Sequence, residues 1–262
     1  GTASQDLAPT GSEAAIEILF LTEKGRPVAH AWVALADSGA DAWILADPVS
    51  SADLRPHLER FRIMEDVEFE GPDPAVLIAV AGPNRARLLA DLTERVPGTR
   101  VFRAEPLAFA KLPADSTPPF ACVPPETAAA WRVASGLPLA GVDFDLERIA
   151  TELDLPGAIS FDKGCYVGQE VVARTSNRGQ VRRRRVGFRF PWPGAPPDRG
   201  TPIQSGDTAA GFLTSAAVEP GTGEGLGMGY ASVERVESGD PLRLVFSGSA
   251  DPFPIRIAPW PL

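Results

Sequence analysis

Cysteine is scarce: the 262 residues hold two, Cys122 and Cys165. Lying far apart, they make no metal-ligand pair and no disulfide framework, and they fit a reducing compartment. No apolar run approaches the roughly 18 residues of a membrane-spanning helix. No basic–apolar signal segment opens the chain, and there is no internal repeat or low-complexity tract. Positive charge is also short. Twenty-five Lys and Arg against 34 Asp and Glu leave a net charge of −9, which argues against wholesale nucleic-acid binding. What is present is an ordinary globular composition, 44% hydrophobic and 23% charged, long enough for a large core in one or two domains. Twenty-seven prolines and 25 glycines imply many turns and stiff loops.

One stretch organises the rest: Phe161, Asp162, Lys163, Gly164, Cys165, Tyr166, Val167, Gly168, Gln169, Glu170. It sets a cysteine between two glycines, with a lysine two residues before the thiol. Gly164 and Gly168 permit a tight turn and close approach of another group. Lys163, and a helix starting at Gln169 and Glu170, favour the thiolate, the form that attacks or binds metal. The plainer alternative is an inert cysteine in a tight turn.

The run Lys-Gly-Cys-Tyr-x-Gly-Gln-Glu resembles the signature of the YgfZ family, which includes mitochondrial iron–sulfur assembly relatives. The resemblance implies the fold of the glycine-cleavage T-protein, a tetrahydrofolate-dependent aminomethyltransferase. Further landmarks extend it. Thr22 to Arg26 resembles the family's Thr-x-x-Gly-Lys turn. Val80-Ala81-Gly82-Pro83 and Arg132-Val133-Ala134-Ser135-Gly136-Leu137-Pro138 resemble two more. Ser4-Gln5-Asp6-Leu7 resembles the tail of the family's opening motif, so on this alignment the family's first strand and helix precede Gly1.

Patterning predicts an α+β architecture. Strands are expected at 15–21, 28–36 and 41–45, the first two joined by a turn at 23–26. A helix capped by Ser51 runs to residue 60, with Leu54, Leu58 and Phe61 on one face. Strands follow at 67–69 and 76–80, a helix at 84–95 with Leu88, Leu89 and Leu92 inside, and short strands near Val101 and Phe109. An alanine-rich helix at 127–135 stops at Gly136-Leu137-Pro138. A strand at 159–161 delivers Lys163. Beyond 186 come short runs split by glycine and aspartate, the spacing of a small β-barrel, with Trp192 and Trp260 as packing residues. The expected division is a folate-binding region at 1–185 and a C-terminal β-barrel at 186–262.

The resemblance also implies site residues. Cys165 is the reactive group and Lys163 its partner. Gly164, Tyr166, Gly168, Gln169, Glu170 and Arg174 shape the loop and the turn after it. For tetrahydrofolate, Trp131 is placed to stack on the pterin, with core packing as the equal alternative. Arg132 is placed to meet the acidic tail, and Asp143 and Glu147 to line the cleft. T-proteins carry adjacent aspartates where this chain has Ala29 and His30. His30 is expected as a partly exposed strand histidine. Without the aspartate, ordinary aminomethyl transfer and classical turnover are not expected.

On these grounds the implied function is a folate-binding protein that assists assembly or maintenance of iron–sulfur clusters, chiefly of 4Fe–4S enzymes, including tRNA-modifying ones. Cys165 alone cannot hold a cluster, so the cluster is transient and shared. The implied partner is an A-type iron–sulfur carrier or a client 4Fe–4S enzyme. The chain is expected as a cytoplasmic monomer in a bacterium, or in the mitochondrial matrix of a eukaryote. Two alternatives stay open: a one-carbon transferase, and a scaffold or RNA-binding module using the four arginines at 182–185. The plain reading of those arginines is a strand with alternating exposed side chains.

Overall fold

The computed structural model describes residues 14–36, 41–64, 66–73, 75–177, 181–246 and 252–261. The Ser4–Leu7 landmark and Arg178-Gly179-Gln180 lie outside the described residues. The described chain divides into two interleaved units. One is formed by residues up to 21, 28–122 and 156–167; the other by 22–27, 123–155 and 168–262.

The first unit is two small sheets, each backed by a helix. Strands β1 (Ala15–Leu21), β2 (Pro27–Leu35) and β3 (Ala42–Ala46) form one sheet in that order. Helix α1 (Pro48–Phe61) covers it, with Leu54 and Leu58 packed on Ile18, Phe20, Ala29, Ala31 and Val33. The cap of α1 is Asp47, not Ser51. Its Oδ1 accepts from the amides of Val49 and Ser50 at 2.9 and 3.0 Å. Pro48 in the first turn lacks the N–H that a later start would leave unpaired, which favours the earlier start.

The second sheet has the order β4 (Val76–Val80), β6 (Ala108–Leu112), β5 (Arg100–Arg103), and all its pairs are antiparallel. Helix α2 (Arg85–Arg95) buries Leu89 and Leu92 against it, while Leu88 is exposed. The aromatic contacts Trp32–Phe109 and Trp43–Phe102 join the inner faces of the two sheets. The expected strand at 67–69 is absent. That segment is held instead by side chains: Arg62 donates to the Val67 carbonyl and Arg55 to that of Gly71.

In the second unit a closed six-stranded barrel runs in the order β10-β7-β12-β11-β8-β9. Its strands are β7 (Arg183–Pro191), β8 (Pro202–Ser205), β9 (Thr208–Val218), β10 (Glu224–Ser232), β11 (Leu242–Leu244) and β12 (Phe253–Ala258). Val186, Phe188, Phe190, Leu213 and Leu244 fill the interior. The alternation in β7 turns the next residue outward, yet Arg185 is buried rather than exposed. Its guanidinium donates to the carbonyls of Leu153 and Gly136 at 2.6 Å and lies 4.3 Å over the Trp260 ring. This corrects the picture of alternating exposed arginines: one of the four is a core residue, satisfied by backbone oxygens. Helix α3 (Pro125–Ala134) packs Ala130 and Val133 on the barrel through Ala217, Leu226 and Met228, with Trp260 beside them. Trp192 packs on the barrel core. Helices α4 (Gln169–Asn177) and α5 (Val233–Ser238) complete the unit.

Candidate functional site

The loop before α4 is built on a hydroxyl. Residues 159–161 form no strand; a 3-10 turn at Pro156–Ala158 leads into a tight turn. There Ser160 Oγ accepts from the amides of Asp162 (3.3 Å) and Lys163 (3.1 Å). A serine that bonds the backbone ahead of it competes with the sheet ladder and favours a turn. Cys165 is exposed. A Cβ on Gly164 would meet nothing within 4 Å, so the backbone beside the thiol is open. Tyr166 is the anchor, only 7% exposed, and its hydroxyl has no hydrogen-bond partner among the described residues. Burial pushes its phenol above the ordinary range. The Lys163 ammonium lies over the Tyr166 ring, 5.6 Å from its centre.

The motif then passes into the second unit, where its last glycine meets the turn at 22–26. Gly25 (φ +67°) and Gly168 (φ +83°) approach so closely that a Cβ on Gly168 would sit 3.0 Å from the Gly25 Cα. Gln169 and Glu170 open α4, as expected, and Glu170 pairs with Arg174 one turn on. Both partners are exposed, so this pair steadies the helix surface and contributes little stability.

Arg132 and Asp143 lie together in the second unit. Arg132 Nη1 contacts Asp143 Oδ2 at 2.6 Å and donates to the Leu137 carbonyl at 2.8 Å, while Nη2 reaches Ser215 Oγ at 2.7 Å. Asp143 is 1% exposed, and its Oδ1 accepts from Thr214 and Ser215 hydroxyls at 2.6 and 2.7 Å. The Leu139 amide donates to its Oδ2 at 3.0 Å. The carboxylate is thus saturated by intramolecular donors, and the pair fastens α3 to β9. Thr214 and Ser215 had no signal in the sequence beyond being polar in a barrel strand. Trp131, next to Arg132, is half-buried. Glu147 is exposed.

In the first unit His30 is buried, 3% exposed, which corrects the exposed reading. Its Nε2 lies 2.7 Å from Glu17 Oε1. Its ring packs 4.7 Å from that of Trp32. Glu17 was the missed residue; its only trace in the sequence is a carboxylate inside an otherwise apolar strand. No group of three or more His, Cys, Asp or Glu suited to a metal ion occurs among the described residues.

An α+β first unit followed by a closed six-stranded C-terminal barrel is the architecture of a T-protein-like chain. Residues 183–262 match the family model of the glycine cleavage T-protein C-terminal barrel domain. The crystal structure of the glycine cleavage system aminomethyltransferase T from Bartonella henselae superposes with a TM-score of 0.79 at 17% identity, covering 99% of this chain and 79% of that one. The tRNA-modifying protein YgfZ of Escherichia fergusonii is 30% identical over 173 residues, 56% of this chain and 52% of its own. The mitochondrial iron–sulfur cluster assembly factor IBA57 homolog of Neurospora crassa is 28% identical over 212 residues, 68% of this chain and 46% of its own. The matches thus span about half the length of these relatives. The chain thus has the fold of the glycine cleavage T-protein and carries its C-terminal barrel domain, and over part of its length it is similar to YgfZ and IBA57 proteins.

Proposed function

We propose that this protein binds a reduced folate and assists the assembly or maintenance of iron–sulfur clusters, through the thiol of Cys165. The cluster is cargo, shared with an A-type iron–sulfur carrier or a client 4Fe–4S enzyme, tRNA-modifying enzymes among the clients. The observation that carries this reading is the exposed Cys165 on an open turn held by Ser160 and anchored by buried Tyr166. Soft thiolates suit iron–sulfur clusters. With two cysteines in the chain, the remaining ligands come from the partner.

Tetrahydrofolate supplies a reduced one-carbon carrier when bound. Half-buried Trp131 is the aromatic side chain that this reading assigns to stacking on the pterin. Arg132 and Asp143 act in this reading by fixing the helix that carries Trp131, since their polar atoms already have partners. A cytoplasmic or mitochondrial-matrix location and a monomeric state accompany the proposal; no helix among the described residues is long and apolar enough to cross a membrane.

The test is Cys165→Ser, expressed in cells lacking the endogenous homologue. The expected result is loss of 4Fe–4S enzyme activity with an unchanged melting temperature. Full support by the variant would sink the thiol role. One observation favours a second reading, one-carbon transfer: the Glu17–His30 pair supplies a buried histidine with a carboxylate partner at 2.7 Å. Formation of methylene-tetrahydrofolate in a glycine-cleavage assay, abolished by His30→Asn, is its signature.

A further inference from the structure

The run Arg182-Arg183-Arg184-Arg185 divides in two in the structure. Arg185 is buried and satisfied by the carbonyls of Leu153 and Gly136. The other three stay at the surface: Arg182 and Arg183 are exposed and Arg184 is part-exposed. None of the three makes an ion pair or a side-chain hydrogen bond among the described residues. Elsewhere in the same unit Arg132, Arg174, Arg189 and Arg235 each lie against a carboxylate. Acidic residues are not in short supply, since Asp and Glu outnumber Lys and Arg by 34 to 25. Three adjacent guanidinium groups repel one another, and no described residue offsets that repulsion.

Their place in the barrel leaves them accessible. Strand β7 pairs with β10 from Arg183 onward, opposite Ser232. With β12 it pairs at Gly187, Phe188 and Arg189 and no earlier. The first residues of β7 therefore run past the end of β12, with a sheet neighbour on one side. Successive side chains of a strand point to opposite sides. Arg184 is on the side of Val186 and Phe188, which fill the barrel, and Arg183 is on the outer side. Arg182 precedes the strand. The positive charge thus surrounds a short length of chain instead of lying along one face.

That distribution selects the partner. A membrane surface or a flat acidic protein face engages cations that share one side. Membrane-surface segments also set exposed apolar residues beside the basic ones, whereas Val186, next after the run, is buried. A flexible polyanion bends around the end of the strand and reaches all three charges. Guanidinium suits phosphate oxygens, which it grips through two parallel N–H bonds. A duplex is too stiff to follow so short a segment; a single strand is not. We propose that Arg182, Arg183 and Arg184 bind single-stranded nucleic acid through its phosphates, without reading its bases. RNA and DNA strands bind alike, because phosphate is the group held. The net charge of −9 confines the contact to this patch. The proposal goes beyond the cluster and folate reading and depends on neither Cys165 nor Trp131.

The experiment titrates the full-length chain into a short labelled oligouridylate, or the matching oligodeoxythymidylate, and reads fluorescence anisotropy. For three phosphates on a single strand, log affinity is expected to fall against log salt with a slope of about −2, a loss of roughly twentyfold between about 50 and 200 mM. Each of Arg182→Ala, Arg183→Ala and Arg184→Ala should reduce that slope by about 0.7. The triple alanine variant should bind at least about tenfold more weakly with a slope near zero, and the triple lysine variant should keep the slope. Arg87→Ala with Arg95→Ala removes two exposed, unpaired arginines of α2 and should change nothing. Melting temperatures check that each variant is folded; the single and lysine variants decide the matter if the triple alanine variant is not. No binding of either strand by the wild type at low salt, undiminished binding by the triple alanine variant, or an equal loss in the α2 control overturns the proposal. Polyglutamate or phosphatidylserine vesicles that compete as well as the oligonucleotides also overturn it, and reassign the patch to an acidic protein or a membrane surface.

Discussion

Gly168 lies against Gly25 with no room for a side chain: a Cβ on Gly168 would fall 2.5 Å from the Thr22 carbonyl oxygen and 3.0 Å from the Gly25 Cα. Both glycines have positive φ, a conformation that other L-residues adopt only at a cost. The contact joins the start of α4 to the turn at 22–26, which also accepts the Ala150 amide at the Gly25 carbonyl, 2.8 Å away. Gly168→Ala should therefore destabilise by about 2 kcal/mol or more. Gly164→Ala, in the same motif but with open space around it, should stay within about 0.5 kcal/mol. Urea denaturation of the two variants measures the difference, and equal effects would contradict the packing described here.

Asp143 gives a second contrast. Its carboxylate is buried, paired with Arg132 and bonded by two hydroxyls and an amide. Asp143→Ala leaves Arg132 beside several unpaired polar groups, and a broken buried pair costs about 3–5 kcal/mol. Ser215→Ala removes one donor and should cost about 1 kcal/mol. Chemical denaturation of both variants checks the ranking; a mild Asp143→Ala would mean that the clamp does not fasten α3.

These contacts mark what the sequence could and could not convey. The hydrophobic pattern located both helices of the first unit, and glycine-punctuated runs located most of the barrel. Strand β12 escaped because Pro254 lies inside it, and proline in a run argues against a strand. The Ser160 turn escaped because Ile159 and Phe161 have strand propensity, while a single hydroxyl bonding two amides decides otherwise. Arg185 was legible only as one charge in a row of four. Its burial depends on two backbone carbonyls and Trp260, all distant in sequence. The landmarks Gly25 and Gly168 were both visible, but nothing in the linear order said that they touch. Non-local partners of polar groups are what local pattern leaves out.

The chain has two tyrosines, and burial raises the phenol pKa of each. Tyr230 carries the larger shift, although Arg185 and Arg148 pull the other way. At pH about 10, where free tyrosine is half ionised, native protein should show less tyrosinate absorbance than the unfolded chain. The same sample in denaturant should show about half of its full tyrosinate absorbance. The sign for stability follows from proton binding. Between the unfolded and folded pKa values the unfolded chain has released protons that the folded chain keeps, so stability falls as pH rises beyond about 10. Ordinary titration of both phenols in the native state would refute the burial.

At the acid end the informative group is Glu219. Arg189 donates from Nη1 to Glu219 Oε2 at 2.9 Å and from Nη2 to Oε1 at 3.0 Å, the two-pronged geometry that suits a guanidinium and a carboxylate. Hydrogen bonds from Arg189 first, and from Thr222 second, hold the Glu219 carboxyl down to about 2, against 4.5 for the free group. A folded pKa below the unfolded one means that the pair stabilises fully above about pH 4.5 and loses its effect as pH falls toward 2. The site is partly solvated, with a quarter of the Glu219 side chain exposed, so the contribution at neutral pH is set at about 1 kcal/mol rather than the full linkage value. Glu219→Gln should therefore lower the urea midpoint at pH 7, and the gap to wild type should narrow progressively between pH 4.5 and 2.5. Arg189 also bonds Glu224 at 2.8 Å, so the variant keeps one ionic partner and the barrel should remain folded. A gap independent of pH would assign the loss to packing at the β9–β10 turn instead of to charge.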